Sequence, residues 1–579
     1  MMINYKSKIA EVICQIDNSL EINFIEEIIE VPPNSEMGDY SLPCFKLAKH
    51  MKKPPVLIAK EIKESLEEKE VSDLFSDIKS QGPYLNFFKN YENNSKIVIS
   101  NILKSGDKYG ADTIGEGNTV CVEFSSVNIA KPFHVGHVKG TVIGNVLANI
   151  HEFLGYKVER INHLGDYGTQ YGNQLCAYKK WGNKERVEKN PIRELVELYV
   201  KFHNEAEKDL ALFDEGRAWF KKIEEGNEEA LNLWNWTKDV SMIEFKRIYD
   251  MLGIEYDSYA GESFYTDKMP AIVEKLEKEG LLVESQGAKV VELDQYDLTS
   301  AIIKKSDGTT IYMTRDLAAA KYRKDTYDFY KSIYIVAYQQ DLHFKQLFKI
   351  LELMGYEWAK DCIHVGHGMI NLGEGTLSTR KGCSVWLEDV LNKAVDKALE
   401  IIEEKNPTLN NKEEAAKKIG VGAIVYEQIA NKIIKDHTFK WEEALSFTGE
   451  TAPYIQYAYV RGNKVLNKIG ELDLLSTEGT FIHEKIDYSV LSDNESKKLI
   501  SILEGFQQVV KESCIDNEPS YLARYTVKLA QAFNKFYNAN RVINEEETIK
   551  ITRGIVIKAT LQVISNACSL MGIELLDEM

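Results

Sequence analysis

Cysteine is scarce and scattered in this chain. Cys14, Cys44, Cys121, Cys176, Cys362, Cys383, Cys514 and Cys568 form no C-x-x-C pair. That spacing argues against a structural zinc site and against a disulfide framework, and dispersed thiols fit a reducing cytosol. Proline is sparse as well, 12 in 579 residues beside 36 glycines, so there is no fibrous or low-complexity signature. A GxxxxGK[ST] phosphate loop is missing, and so is any internal repeat. No uncharged apolar run approaches the ~18 residues of a membrane span. The opening segment, through Phe24, has no apolar stretch of the signal-peptide kind. An excess of basic residues is also lacking. Lys plus Arg is 71, Asp plus Glu is 89, and the net charge is −18. This average argues weakly against nucleic-acid binding, although a large acidic protein can carry a local basic groove. The expectation is a cytoplasmic protein with no membrane attachment.

The composition that is present, 44% hydrophobic and 28% charged, is that of a globular chain. Its length suggests about four domains, or fewer with large insertions. Ile3, Ile9, Val12, Ile13, Ile16 and Leu20 follow a helical period. A turn-rich stretch over 31–40 follows, then helical segments over 42–52 and 55–70 and a strand-like run, Gly82–Phe88. Lys104–Gly110 reads as a linker. Thr119–Phe124 reads as a buried strand, Ser125–Pro132 as a turn, His137–Gly155 as a helix and Lys157–Ile161 as a second strand. That is a βαβ unit, the building block of a Rossmann-like doubly wound parallel sheet. Residues 190–255 read as helical, and 260–315 as short strands alternating with helices. Lys331–Ala337 is a strong parallel-strand candidate and Ile363–Gly366 a weaker one; from about residue 385 the pattern is almost wholly helical.

Two segments carry chemistry. In Glu123-Phe-Ser-Ser-Val-Asn-Ile-Ala-Lys-Pro-Phe-His134-Val-Gly-His137, a strand leads through a turn into a helix. His134 and His137 are three apart and share one face of its first turn. Free N–H groups at a helix N-terminus suit phosphate, and two imidazoles there can donate to its oxygens. Gly136 leaves room for a flat base to approach the backbone. In Leu377-Ser378-Thr-Arg380-Lys381-Gly382, adjacent cations sit in a loop beside glycines, a place from which they could stabilise charge on a transferring phosphoryl or adenylyl group.

Together these segments resemble the HIGH and KMSKS signatures of class I aminoacyl-tRNA synthetases. The wider wording resembles the arginyl-tRNA synthetase family: residues 123–134, 162–172, 311–316, 339–343, 377–382 and 454–461 match its motifs, in its order, across nearly the whole chain. Thr379 stands where the general pattern has its second lysine, which leaves the catalytic cation open among Arg380, Lys381 and Lys131.

The resemblance implies a small α/β N-terminal domain over 1–105 that touches the tRNA elbow. It implies a class I catalytic domain over 110–452, with a helical insertion at about 175–300, and an all-α anticodon-binding bundle over 453–579. The implied activity is ATP-dependent ligation of L-arginine to tRNA(Arg) through an arginyl-adenylate. His134, Gly136, His137 and Ser378 would bind ATP, with Mg²⁺ accompanying it and no structural zinc. Glu123, Asn128, Tyr312, Asp316 and Gln340 map onto the arginine-binding positions, with Glu123 and Asp316 supplying negative charge for a planar guanidinium. Asn162, His163, Asp166 and Gln170 follow the second strand of the βαβ unit and are placed to line the adenylate pocket. Tyr454, Tyr457 and Arg461 share one helical face, and Tyr537, Asn538 and Arg541 form a second cluster, both candidates for contact with tRNA. A monomer is expected.

Overall fold

The computed structural model describes residues 4–68, 71–306, 312–371, 385–470 and 485–579. The chain folds into two compact units. One comprises residues 1–109, 461–506 and 528–566; the other comprises 110–460, 507–527 and 567–579.

In the first unit, helix Tyr5–Ile16 is capped by the Asn4 side chain, which accepts from the Ser7 N–H, and buries Tyr5, Ile9 and Ile13. Three antiparallel strands, β1 (Tyr40–Pro43), β2 (Phe75–Gln81) and β3 (Tyr84–Lys89), pair in the order β1-β3-β2. The helical segment expected from residue 42 therefore begins as a strand. Residues 41–43 are pulled into register with Asn86, Leu85 and Tyr84, and the α-helical turn starts only at Ala48. Gly38 has φ +100°, and a Cβ there would lie 2.8 Å from the Phe87 carbonyl oxygen, so glycine is required where the chain enters β1. Asp39 accepts from the Lys89 N–H at 2.8 Å and from the Tyr91 hydroxyl, tying β1 to the end of β3. Segments read as N- and C-terminal domains share this unit. Lys89, almost fully buried, pairs with Glu504 at 2.7 Å, and Asn566 donates to the carbonyls of Gly106 and Tyr109.

The second unit is built on four parallel strands: β4 (Thr119–Glu123), β5 (Lys157–Ile161), and, after a small antiparallel sheet of β6 (Leu282–Ser285), β7 (Ala288–Val291) and β8 (Ala301–Lys304), β9 (Lys331–Ala337) and β10 (Cys362–His367). Their order is β10-β9-β4-β5. The chain runs from β4 to β5 on one side and later returns to β9 on the other. The strand order thus reverses between β4 and β9, where open α/β sheets hold their ligands. Helix Val138–Phe153 packs on β4, β5 and β9 and is buried along most of its length. Three helices, Pro191–Ala206, Ala211–Glu224 and Glu228–Leu252, fill the stretch expected to be helical. Helices Leu387–Lys405 and Lys412–Ile429 pack together around Ala398, Ile402, Ala416 and Ile419.

Helix Glu547–Met571 is long and apolar enough by composition to cross a membrane, but 78% of its apolar window is buried within the protein, as in a core helix.

Candidate active site

The turn leaving β4 is conformationally strained. Ser125, Ser126 and Ala130 all have positive φ, at 73°, 48° and 55°, at a cost of about 1 kcal/mol or more each. Hydrogen bonds hold it there. The Ser125 hydroxyl lies 2.9 Å from both the Tyr249 and Thr141 hydroxyls, and the Ala130 N–H donates to Ser241 at 3.1 Å. Asn128 bridges to Gly165 just after β5. A Cβ on Gly165 would lie 2.4 Å from the Asn128 Oδ1, so a larger residue there would have to displace the Asn128 side chain.

The turn delivers His134 to the N-terminus of a 3-10 turn, Val135–His137, that continues as helix Val138–Phe153. The Gly136 N–H donates to His134 Nδ1 at 3.1 Å, and the His134 N–H donates to His137 Nδ1 at 3.2 Å. Both Nδ1 atoms are therefore acceptors, and each neutral ring carries its proton on Nε2. The rings stack with centroids 3.8 Å apart. Burial lowers the His134 pKa; burial and the adjoining His134 take that of His137 well below its ordinary value. The pair is thus two neutral Nε2–H donors side by side, while the N–H groups of Val135, Gly136 and His137 are already bonded to Val385, His134 Nδ1 and the His134 carbonyl.

Val385 and Leu387 are hydrogen-bonded to Val135 and Phe133, at 3.0 and 2.9 Å. Ser378, Arg380 and Lys381 lie outside the described residues. Lys131 donates to Gln170 at 2.8 Å; burial lowers its pKa, with Glu262 opposing that shift.

The other residues expected in the site collect at the carboxyl ends of the strands. Tyr312 and Asp316 stand on helix Tyr312–Tyr327, which begins five residues before the helical run visible from Leu317. Tyr312 is exposed. Asp316 meets His343 Nε2 at 2.7 Å and His163 Nε2 at 3.9 Å. Burial alone would raise its pKa, but the His343 hydrogen bond and the electrostatic influence of His343, His163 and Arg315 bring it below the ordinary carboxylate value. Gln340, also exposed, follows β9. Glu123 ends β4 and is already ion-paired with Arg323 at 2.5 Å. Asn162 and Asp166 are fully enclosed. Asn162 donates to the Tyr249 hydroxyl at 2.8 Å, and Asp166 accepts from Lys238 at 2.7 Å and from the Ser263 N–H and hydroxyl at 2.8 Å. With both oxygens engaged, Asp166 acts on the segment beginning at Gly261 rather than lining an open wall.

That segment carries a group absent from the sequence reading. Glu262 is mostly buried, 3.9 Å from Arg315. Its pKa is pushed up to about 7, by burial first and then by Asp316 and Asp166, with Arg315 working against them. The Arg315 guanidinium lies over the rings of Tyr312 and Tyr167, at 4.8 and 5.2 Å. Tyr312, Arg315, Tyr167 and Gln170 line one cavity of about 1150 Å³. Nothing local marked Glu262: one acid among 89, outside any periodic or spaced motif, becomes distinctive only through its neighbours.

In the first unit, Arg461 joins the second predicted cluster. Its guanidinium lies over Tyr537 at 4.0 Å and donates to Asn534 and Asn538 at 3.0 and 2.9 Å. Asn538 and Arg541 are exposed, and the Arg541 carbonyl accepts from Arg553 at 2.5 Å. In the second unit, Tyr454 is half-buried and Tyr457 exposed.

Residues 98–441, more than half of the chain, match the family described as tRNA synthetases class I (R), catalytic domain. The chain belongs to the arginyl-tRNA synthetase family. Residues 4–89 match the arginyl tRNA synthetase N-terminal domain and 455–579 the DALR anticodon binding domain. Proteins named arginine–tRNA ligase from Halothermothrix orenii and Clostridium kluyveri are 50% and 53% identical, covering 100% and 97% of this chain and the same shares of their own. The solved arginyl-tRNA synthetase of Thermus thermophilus shares the fold at a TM-score of 0.79 and 24% identity, covering 99% of both chains. The family's architecture, a parallel-sheet catalytic domain with an N-terminal domain and a helical anticodon-binding domain, is that expected from the sequence.

Proposed function

We propose that this protein is an arginine–tRNA ligase that works through an arginyl-adenylate. The observation that carries the reading is the presence, in one catalytic unit, of the paired His134 and His137 Nε2–H donors and of two neighbouring carboxylates, Glu262 and Asp316, close to Tyr312. A guanidinium is planar and permanently charged, and needs acceptors of that kind.

In the first step the arginine carboxylate, ionised at neutral pH, attacks the α-phosphorus of ATP. A carboxyl–phosphorus anhydride forms, the bond to the β-phosphate breaks and pyrophosphate leaves. No general base is needed, so catalysis consists of alignment and charge stabilisation. His134 and His137 donate Nε2–H to phosphate oxygens. Lys131, with Arg380 and Lys381 from the 377–382 loop, offsets the negative charge of the transition state. Mg²⁺ enters as part of the MgATP substrate. In the second step the terminal ribose 2′-OH of tRNA(Arg) attacks the carbonyl carbon, and AMP leaves.

Asn128 and Gln340 are suited to the substrate's α-amino and other main-chain atoms, and Gln170, through Lys131, to the adenylate side. Because Arg323 already neutralises Glu123, the pocket's guanidinium-facing charge falls to Asp316 and Glu262. Asn162 and Asp166 serve as framework. Residues 1–105 would touch the tRNA elbow, 110–452 perform the chemistry around an insertion at about 175–300, and 453–579 read the anticodon. The protein is read as a cytoplasmic monomer without membrane attachment.

Aminoacylation of total tRNA with ATP and Mg²⁺, offering each amino acid separately, tests this. Charging with arginine alone is expected; charging with another amino acid would sink the pocket assignment. For the Arg461 cluster, Arg461→Lys keeps the charge but loses the planar fork that lies on Tyr537 and holds two asparagines. It is expected to raise KM for tRNA about tenfold, the scale of one to two charged hydrogen bonds, and to leave KM for arginine unchanged in steady-state charging.

A further inference from the structure

We propose that His343 is a positioning residue for arginine recognition, holding the Asp316 carboxylate in the orientation that accepts a guanidinium. This rests on the reading of Asp316 as a guanidinium ligand. Asp316 ends in a rotatable carboxylate, and bidentate recognition of a planar fork requires both oxygens to be held in one plane.

Two imidazoles reach that carboxylate from different elements. His343 comes from helix Asp341–Leu353, which starts directly after Gln340, and its Nε2 lies 2.7 Å from Asp316 Oδ2. A carboxylate paired in this way accepts, so the proton is on Nε2. His163 follows β5, and its Nε2 lies 3.9 Å from Oδ1.

The His163 tautomer is fixed from behind. Its Nδ1 is 3.3 Å from Arg323 Nη2; a guanidinium can only donate, so Nδ1 accepts and a neutral ring turns Nε2–H toward Asp316. Arg323 is held in turn by Glu123 at 2.5 Å and is 1% exposed, and Tyr265 stacks on His163 at 5.5 Å. The buried Glu123–Arg323 pair thus backs one side of Asp316 through His163. His343 makes the only direct hydrogen bond to that carboxylate among the described residues, and its loss would leave Asp316 free to rotate about its terminal torsion. Such outer partners orient a binding group without touching the ligand.

The test is steady-state aminoacylation with His343→Leu, which keeps bulk but loses the donor, and His343→Gln, which keeps an N–H donor. His343→Leu is expected to raise KM for arginine about tenfold while KM for ATP and for tRNA stay within twofold; His343→Gln should remain within threefold of wild type. In an Asp316→Asn background, His343→Leu should add less than threefold. Equal effects of Leu and Gln, or parallel rises in the ATP and tRNA constants, would overturn the positioning role while leaving Asp316 in place. An unchanged arginine KM in Asp316→Asn alone would overturn the pocket reading itself. If His343→Leu fails to fold, the glutamine variant decides: a tenfold rise there would also reject a donor role.

Discussion

Glu262→Gln should lower kcat/KM for arginine by about 10²-fold and, at pH 8, make the protein more resistant to unfolding. Both effects come from one cause. The carboxyl is held among burial, Asp316 and Asp166, which together outweigh Arg315 and raise its pKa from 4.5 to about 7. An acid whose folded pKa lies above its unfolded value stabilises the fold fully only below the unfolded pKa, and that contribution is lost as pH rises through the folded one. Above about pH 7 the ionised Glu262 therefore costs stability, by up to roughly 3 kcal/mol for a shift of this size. Glutamine removes that cost. Its gain in urea midpoint should be largest at pH 8 and vanish only below the unfolded pKa of 4.5. A guanidinium in the pocket needs the ionised form, and deleting one partner of an enclosed charge pair costs about 3–5 kcal/mol. Wild-type kcat/KM for arginine should accordingly rise with pH up to about 7 and then level, whereas the glutamine variant should be flat over that limb. Unfolding curves and pH–rate profiles on the same preparations check both halves. A variant that gained stability but kept its arginine KM would mark Glu262 as a strained bystander and remove it from the pocket. Destabilised functional groups of this kind are where activity and stability trade against one another.

How far the sequence reaches depends on whether a property is local. The three-residue spacing of His134 and His137 is local, so their shared face was legible. Their tautomers were not, because these depend on which backbone N–H each Nδ1 accepts. The strands β4, β5 and β9 were legible from short β-branched runs, but the start of the 42–52 segment read as helix because Leu42 and Pro43 are drawn into strand only by their partner β3, after which a 3-10 turn, Cys44–Lys46, leads into the helix. Tyr312, for which strand packing was the plain alternative, opens a helix instead. Asp166 and Glu262 differ in a way that the sequence does not show. Both are acids near glycines; one is enclosed by Lys238 and Ser263, and the other is turned toward Arg315 and Asp316. Only tertiary partners distinguish the two. Arg461 was placed on a helical face and Tyr537 in a separate cluster, but their contact needed the fold to bring distant helices together.

Arg323→Met should be the most destabilising single change near the site, by about 3–5 kcal/mol, because it strands Glu123 in the interior without its counter-ion. Arg323 is 1% exposed and its carboxylate partner 9%, so neither can recover water in the folded state. Burial disfavours the charged guanidinium, but Glu123 outweighs it and holds the Arg323 pKa well above the ordinary value. The variant's deficit should shrink on acidification, since an orphaned Glu123 can take up a proton and shed its charge; an ordinary packing defect would show no such pH dependence. Adding Glu123→Gln should restore most of the loss, because two neutral residues of similar volume replace a pair whose attraction roughly repaid its desolvation. Urea midpoints for the two single variants and the double, at pH 8 and pH 5.5, give the coupling directly. The double variant then separates the two duties assigned to Glu123. If it folds with wild-type stability and an unchanged arginine KM, the carboxylate serves the site only by holding Arg323 behind His163. If it folds but its arginine KM rises about tenfold while a stable Glu123→Asp does not follow, the second oxygen of Glu123 reaches the substrate as well. A double variant as unstable as Arg323→Met alone would assign the stability to the Arg323 guanidinium lying over the Tyr334 ring rather than to the ion pair.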